Sequence, residues 1–159
     1  MDLRKRIMEA QSCAFHADIT ADYGDVLYSF QMDCITTKDG DLSFTVVEPK
    51  TIAGITGTIS KDKALLTFDD KILAFPMLAD GQLAPVIAPW IFYHTLQSGY
   101  ISGCSKDEKG TLILLDDSFQ SCPLHMEIQT DQDNAPTYAE IFWNQRRILS
   151  LVISDFAIV

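Results

Sequence analysis

Residues 13–34 read CAFHADITADYGDVLYSFQMDC, and the alternation within them decides the fold. On the first arm Cys13, Phe15, Ala17 and Ile19 are apolar, while His16, Asp18 and Thr20 take the intervening positions. On the second arm the apolar residues are Val26, Tyr28, Phe30, Met32 and Cys34. A period of two puts each set on one face of an extended strand. Between the arms, Ala21-Asp22-Tyr23-Gly24-Asp25 supplies turn residues, with a glycine in place. The stretch is a long β-hairpin with one apolar face.

If the hairpin folds about Tyr23-Gly24, Phe15 faces Met32, Ala17 faces Phe30 and Cys13 faces Cys34. Cys13 and Cys34 then share the apolar face near the close approach a disulfide requires, which makes them the candidate bond of this chain. The alternative is two buried thiols acting as small hydrophobes. Cys104 falls in a strand and Cys122 in a separator, and no register links them.

Short alternating runs continue on either side of Glu48-Pro49. Leu42, Phe44 and Val46 precede it; Ile55, Gly57 and Ile59 follow. Leu66 and Phe68 lead into an Asp69-Asp70-Lys71 turn, with Leu73, Phe75 and Met77 beyond it. In the second half, residues 100–105, 111–115, 124–130, 138–143 and 148–156 read as strands. Residues 106–110, 116–123, 131–136 and 144–147 separate them. Many short strands joined by polar turns indicate an antiparallel sheet or barrel, and alternating strand–helix units are absent from the pattern. The whole chain, residues 1–159, reads as one domain.

Two segments depart from period two. Leu3, Ile7 and Ala10 have helical spacing, which predicts a short amphipathic N-terminal helix. Residues 82–98 predict a second helix, with Pro89 at its start and Gly99 just past its end. Val86, Ile87, Trp90, Ile91, Phe92, Tyr93 and Leu96 leave it almost no polar face, so it must be covered on most sides. Inside the curvature of the sheet is where such a helix fits. It is either a fixed plug of the core or a movable lid over a lipid-sized cavity.

Composition narrows the function classes. Hydrophobic residues are 47% and charged residues 21% of 159, outside the disordered and low-complexity ranges. The longest apolar run, residues 83–96, is broken by Pro85, Pro89 and His94 and falls short of the roughly 18 residues of a membrane span. A soluble globular domain is expected. Twelve Lys and Arg against 22 Asp and Glu give a net charge of −10, which argues against a nucleic-acid partner. Arg4-Lys5-Arg6 resembles the start of an export signal, but the polar Met8-Glu9-Ala10-Gln11-Ser12 follows it. Either the protein is cytosolic or its leader has been removed.

Catalytic and metal signals are weak. His16, His94 and His125 are scattered, with no partner at ligand spacing, so no metal site or cofactor is expected. No nucleophile elbow, phosphate loop or dinucleotide fingerprint occurs, and no catalytic residue is assigned. Asp69-Asp70 and Asp116-Asp117 sit at expected turns. Asp131-Gln132-Asp133-Asn134 opens like a calcium loop, yet Pro136 stands where its glycine belongs and Phe142 where its glutamate belongs.

The order of elements resembles the LolA/LolB-like fold of lipoprotein carriers and related bacterial surface lipoproteins. The resemblance rests on the N-terminal helix, the long hairpin and a third strand closing in Glu48-Pro49. It continues through the strand pair at residues 63–75, the proline-containing helix and the later strands. It implies a mainly β architecture: a curved antiparallel sheet forming an incomplete β-barrel, with a short N-terminal helix and a mid-chain helix covering the concave face. An aromatic-Arg-Trp usually follows the proline in that family; here Thr51-Ile52-Ala53-Gly54-Ile55 stands instead. The family's lid-holding arginine is therefore missing at that place.

The resemblance further implies an extracytoplasmic, cell-envelope protein without enzyme activity. Any signal peptide or lipid anchor would already have been removed, so contact with a membrane would run through an anchor missing from this chain. Its ligand would be a hydrophobic small molecule, a lipid or a lipoprotein acyl chain. The candidate binding residues are the inward aromatics and the start of the lid: Phe30, Phe44, Phe68, Phe75, Trp90 and Ile91. The rival reading is a protein-interaction module whose cavity is filled by its own side chains. An enzyme whose residues meet only in space is the third.

Overall fold

The computed structural model describes residues 2–61, 63–68, 71–74, 78–79 and 82–159. Helix α1 (Asp2–Glu9) leads into β1 (Cys13–Asp22) and β2 (Leu27–Thr36). Strands β3 (Leu42–Glu48), β4 (Thr56–Ile59), β5 (Ala64–Phe68) and β6 (Lys71–Ala74) complete one wing. A two-stranded ribbon, β7 (Leu78–Ala79) and β8 (Gln82–Leu83), precedes a 3-10 turn at Pro85–Ile87 and helix α2 (Ala88–Ser98). The second wing is β9 (Tyr100–Lys106), β10 (Thr111–Phe119), β11 (Cys122–Thr130), β12 (Pro136–Trp143) and β13 (Arg146–Ile158).

Eleven strands form one unclosed antiparallel sheet in the order β6-β5-β4-β3-β2-β1-β13-β12-β11-β10-β9. The wings are two meanders joined where β1 pairs with β13. This topology dictates where α2 goes. The edge strands β6 and β9 flank the mid-chain connection, so the segment carrying α2 must travel from one edge to the other.

Alternation governs which side chains turn inward. Along β1 every odd residue, Cys13 to Ala21, is buried. Phe30, Met32, Cys34, Leu42, Phe44 and Val46 extend the face through β2 and β3. Leu149, Leu151, Ile153, Ala139, Ile141, Met126 and Ile113 continue it across the other wing. All belong to one core with α2 and the inner side of α1, where Leu3 and Ile7 are buried as their spacing predicts.

The first hairpin differs from the expected register. The Asp22–Leu27 pair closes it around four residues, Tyr23 to Val26, rather than about Tyr23-Gly24. The extra length slides the arms by two positions, so faces are preserved but partners change. Phe15 stands opposite Cys34, Ala17 opposite Met32 and Ile19 opposite Phe30. Of the two readings of Cys13 and Cys34, the candidate disulfide is not formed and the other holds: both are free, buried thiols. The Cys13 backbone N–H instead donates to Thr36 Oγ1 at 2.9 Å. Beyond Phe30 the apolar face emerges into solvent, leaving Val26 and Tyr28 exposed.

Two turns are tighter than their polar sequences suggest. The 116–123 separator shrinks to Gln120-Ser121, and the 144–147 separator to Asn144-Gln145. Both pairs have positive φ, the geometry that matches strand twist in two-residue hairpins. Asp116 and Asp117 thus belong to β10. The helix also starts later than residue 82, because β8 and the 3-10 turn take residues 82–87. The Asp69-Asp70 turn, Phe75 and Met77 lie outside the described residues.

Gly57 fixes how β4 meets the core. The Phe44 ring lies directly over it, and a Cβ there would also come within 2.7 Å of the Leu65 carbonyl. Gly57→Ala is expected to lower stability by about 1–3 kcal/mol, an ordinary overpacking cost. Gly103→Ala meets only the movable end of Leu114 and should be near neutral. Urea unfolding of the two variants checks the contrast.

Candidate hydrophobic binding site

Helix α2 lines the candidate site. Pro89 in its first turn needs no amide partner there, and nothing in the sequence supplies a side-chain cap. Its apolar residues point in every direction and all find cover: Trp90, Ile91, Phe92, Tyr93 and Leu96 are at most 4% exposed. Phe92 meets Phe15 of β1 edge-on, with centroids 5.6 Å apart. Trp90 stacks on His94 at 4.7 Å and approaches Phe119 of β10 at 6.0 Å.

A polar contact ties the middle of the helix to the sheet. The Tyr93 hydroxyl donates to Cys13 Sγ at 3.7 Å. Burial pushes the Tyr93 phenol up to about 12 and raises the Cys13 thiol as well. A phenol in this setting is a structural anchor, and a thiol kept protonated is a poor nucleophile.

The C-terminus of α2 is held from outside by Arg4 of α1. Its Nε donates to the Leu96 carbonyl at 2.7 Å, and Nη2 donates to the carbonyls of Gly99 at 2.6 Å and Thr95 at 3.4 Å. A cation here satisfies orphan carbonyls and opposes the negative end of the helix dipole. Gly99 allows the close exit, since a Cβ would lie 2.7 Å from the Thr95 carbonyl. The cation bonded to this helix end is therefore Arg4 of α1. Arg4 stood in the basic cluster that looked like an export signal; its sequence signal was only its place beside Leu3 and Ile7.

Of the predicted site residues, Phe30, Phe44, Trp90 and Ile91 come together in one buried cluster. Phe68 ends β5, and Phe75 lies outside the described residues. Sequence reasoning omitted Phe92 and Tyr93 because an all-apolar helix does not reveal its orientation. Their contacts with Phe15 and Cys13 turn both toward β1. The Tyr23 hydroxyl donates to the Leu83 carbonyl at 2.6 Å, tying the first hairpin to the segment that precedes α2.

The other sequence candidates serve local structure. His16 bonds Asp33 at 2.8 Å and Gln31 at 3.2 Å across the hairpin. His125 bonds Asp116 at 2.8 Å. Asp131 accepts the N–H groups of Asp133 and Ala135, so its carboxylate closes its own turn. Among the described residues, no three His, Cys, Asp or Glu converge as metal ligands. No described helix is long and apolar enough to cross a membrane.

No protein-family model matches the chain, and no curated protein matches it. Solved structures do. An uncharacterized conserved protein from Thermus thermophilus aligns with TM-score 0.54 at 10% identity, over 99% of this chain and 86% of that one. A LolA superfamily protein from Nitrosomonas europaea gives 0.51 at 8% identity, over 99% and 92%. A putative outer membrane lipoprotein-sorting protein domain from Vibrio parahaemolyticus gives 0.50 at 11% identity, over 99% and 89%. At such identities the likeness is one of architecture. The chain has a LolA-like fold.

Two outcomes follow from this geometry. Arg4→Ala should destabilise the chain by about 2 kcal/mol, the worth of charged hydrogen bonds lost from a half-buried site. Hydrogen exchange should locate the loss at the end of α2. Tyr93 is neutral when folded up to about pH 12, whereas an unfolded tyrosine ionises from about pH 10. Its contribution is thus complete below pH 10 and lost as pH rises toward 12. Urea midpoints at pH 8 and pH 11 should fall less in Tyr93→Phe than in the parent.

Proposed function

We propose that this chain is a non-enzymatic binder or carrier of a hydrophobic ligand, such as a lipid or acyl chain, at the bacterial cell envelope. The ligand takes the place of α2 against the concave face. The observation that carries this reading is the nature of the cover. An apolar sheet interior is roofed by a helix that shares no backbone ladder with it and is fastened at one end by Arg4.

Magnitudes make the exchange feasible. Five large α2 side chains at about 1.5–3 kcal/mol each represent roughly 10 kcal/mol of burial. An acyl chain returns about 0.8 kcal/mol per buried methylene, so roughly 12 of them restore that amount. The fold supports the same reading, because one structural neighbour is described as a putative outer membrane lipoprotein-sorting protein domain. An extracytoplasmic location, with any signal or anchor removed, belongs to this proposal. So does treatment of residues 1–159 as a single functional domain.

The close packing of the described inner face favours a second reading, a protein-interaction module with a filled core. Native mass spectrometry of gently purified protein, followed by organic extraction, separates the two. A co-purifying acyl lipid, reduced when Ile91→Ala or Trp90→Ala alters the site in folded protein, supports the carrier. A clean apo mass, with no thermal shift across a lipid panel, overturns it in favour of the module.

A further inference from the structure

A cleft of about 330 Å³ opens where four elements converge beside α2. Met8 of α1, Lys38 to Asp41 of the β2–β3 turn, Lys61 after β4, and Trp90, His94, Gln97 and Ser98 of α2 line it. Gly40 takes φ +89° in this turn, a conformation that favours glycine, and a Cβ on it would sit in ordinary contact, 3.6 Å from Gln97 Oε1.

The chemistry of this lining is mixed in a specific way. Lys38 and Lys61 supply two ammonium groups, and Asp39 and Asp41 supply two carboxylates. Among the described residues, no ion pair joins either lysine to either aspartate. The Trp90–His94 stack, with rings 9° from parallel, forms an aromatic wall. Trp90 also belongs to the buried core, so its ring is the partition between the cleft and the apolar interior.

We propose that the cleft binds a zwitterionic phosphate–ammonium headgroup: its phosphate lies against Lys38 and Lys61, and its ammonium against Asp39 and Asp41. Charge selects this class. The chain carries a net charge of −10, which repels a net-anionic headgroup but exerts no net force on a zwitterion. Charge-assisted bonds to the two carboxylates favour an ammonium. As a lipid subsite this rests on the proposed carrier function, with the acyl chain passing Trp90 into the core. The same chemistry could come from a free small zwitterion.

The test is a titration followed by NMR of the Trp90 indole N–H and the Gln97 side-chain amide. The probes are dihexanoyl phosphatidylethanolamine, dihexanoyl phosphatidylglycerol, O-phosphoethanolamine and inorganic phosphate. The expected result is at least fivefold tighter binding of the ethanolamine lipid than of the glycerol lipid. Lys38→Gln with Lys61→Gln should weaken the ethanolamine lipid about tenfold, and Asp39→Asn with Asp41→Asn should abolish the headgroup preference. Equal binding of both lipids, or no effect of these exposed-turn variants, overturns the headgroup site and leaves the carrier reading standing. If phosphoethanolamine shifts both signals while neither lipid binds, the zwitterion site stands and the carrier reading fails. Inorganic phosphate acting as well as phosphoethanolamine overturns the ammonium assignment.

Discussion

An eleven-stranded sheet that is apolar along its concave side must keep water off that side, and α2 is the element that does so. The rest of the architecture answers to this constraint. The helix is apolar all round because it is covered all round, by the sheet beneath and by the inner side of α1 above. It lies in the connection between the two sheet edges, so chain topology delivers it across the opening. The Arg4 guanidinium then completes the carbonyls at its end.

Cover and sheet are joined almost wholly by non-directional packing. The Tyr93–Cys13 contact is a polar tie from the middle of the helix, and the phenol is held neutral by burial. Non-directional packing can be replaced by other apolar matter at little loss, whereas a β-ladder needs partners for every backbone group. That difference distinguishes a roof made of helix from one made of strand. The outer face behaves in the opposite way: His16 and His125 are fixed by directional cross-strand hydrogen bonds.

Period two was enough to read which side chains face inward, because burial on one side of a sheet imposes that period regardless of register. The same alternation could not fix partners. A four-residue connection at Tyr23 to Val26 and a two-residue turn centred on Tyr23-Gly24 leave the same residues inside, and only loop length separates them. Hence the inward set of β1 and β2 was legible, whereas the Cys13–Cys34 pairing was not. At the tight turns the polar Asp116 and Asp117 looked like loop residues, because outward strand positions and loops share a composition.

The burial of the candidate site residues was legible where strand faces or an all-apolar helix decided it, and their orientation was not. Phe30 and Phe44 followed from strand faces, and Trp90 and Ile91 from an all-apolar helix. The inward turn of Phe92 and Tyr93 carried no sequence signal, since a helix without a polar side has no readable face. Arg4 was invisible because its partners are backbone carbonyls 92 and 95 positions away.

The buried thiols of Cys13 and Cys34 report directly on whether α2 is a removable cover. With Cys104 and Cys122 replaced by serine, the rate of their modification by a thiol reagent should be followed across low urea concentrations. A removable cover predicts modification through a local opening, with a free energy well below that of unfolding and little dependence on urea. Modification with the full urea dependence and free energy of global unfolding would show that α2 is a fixed plug.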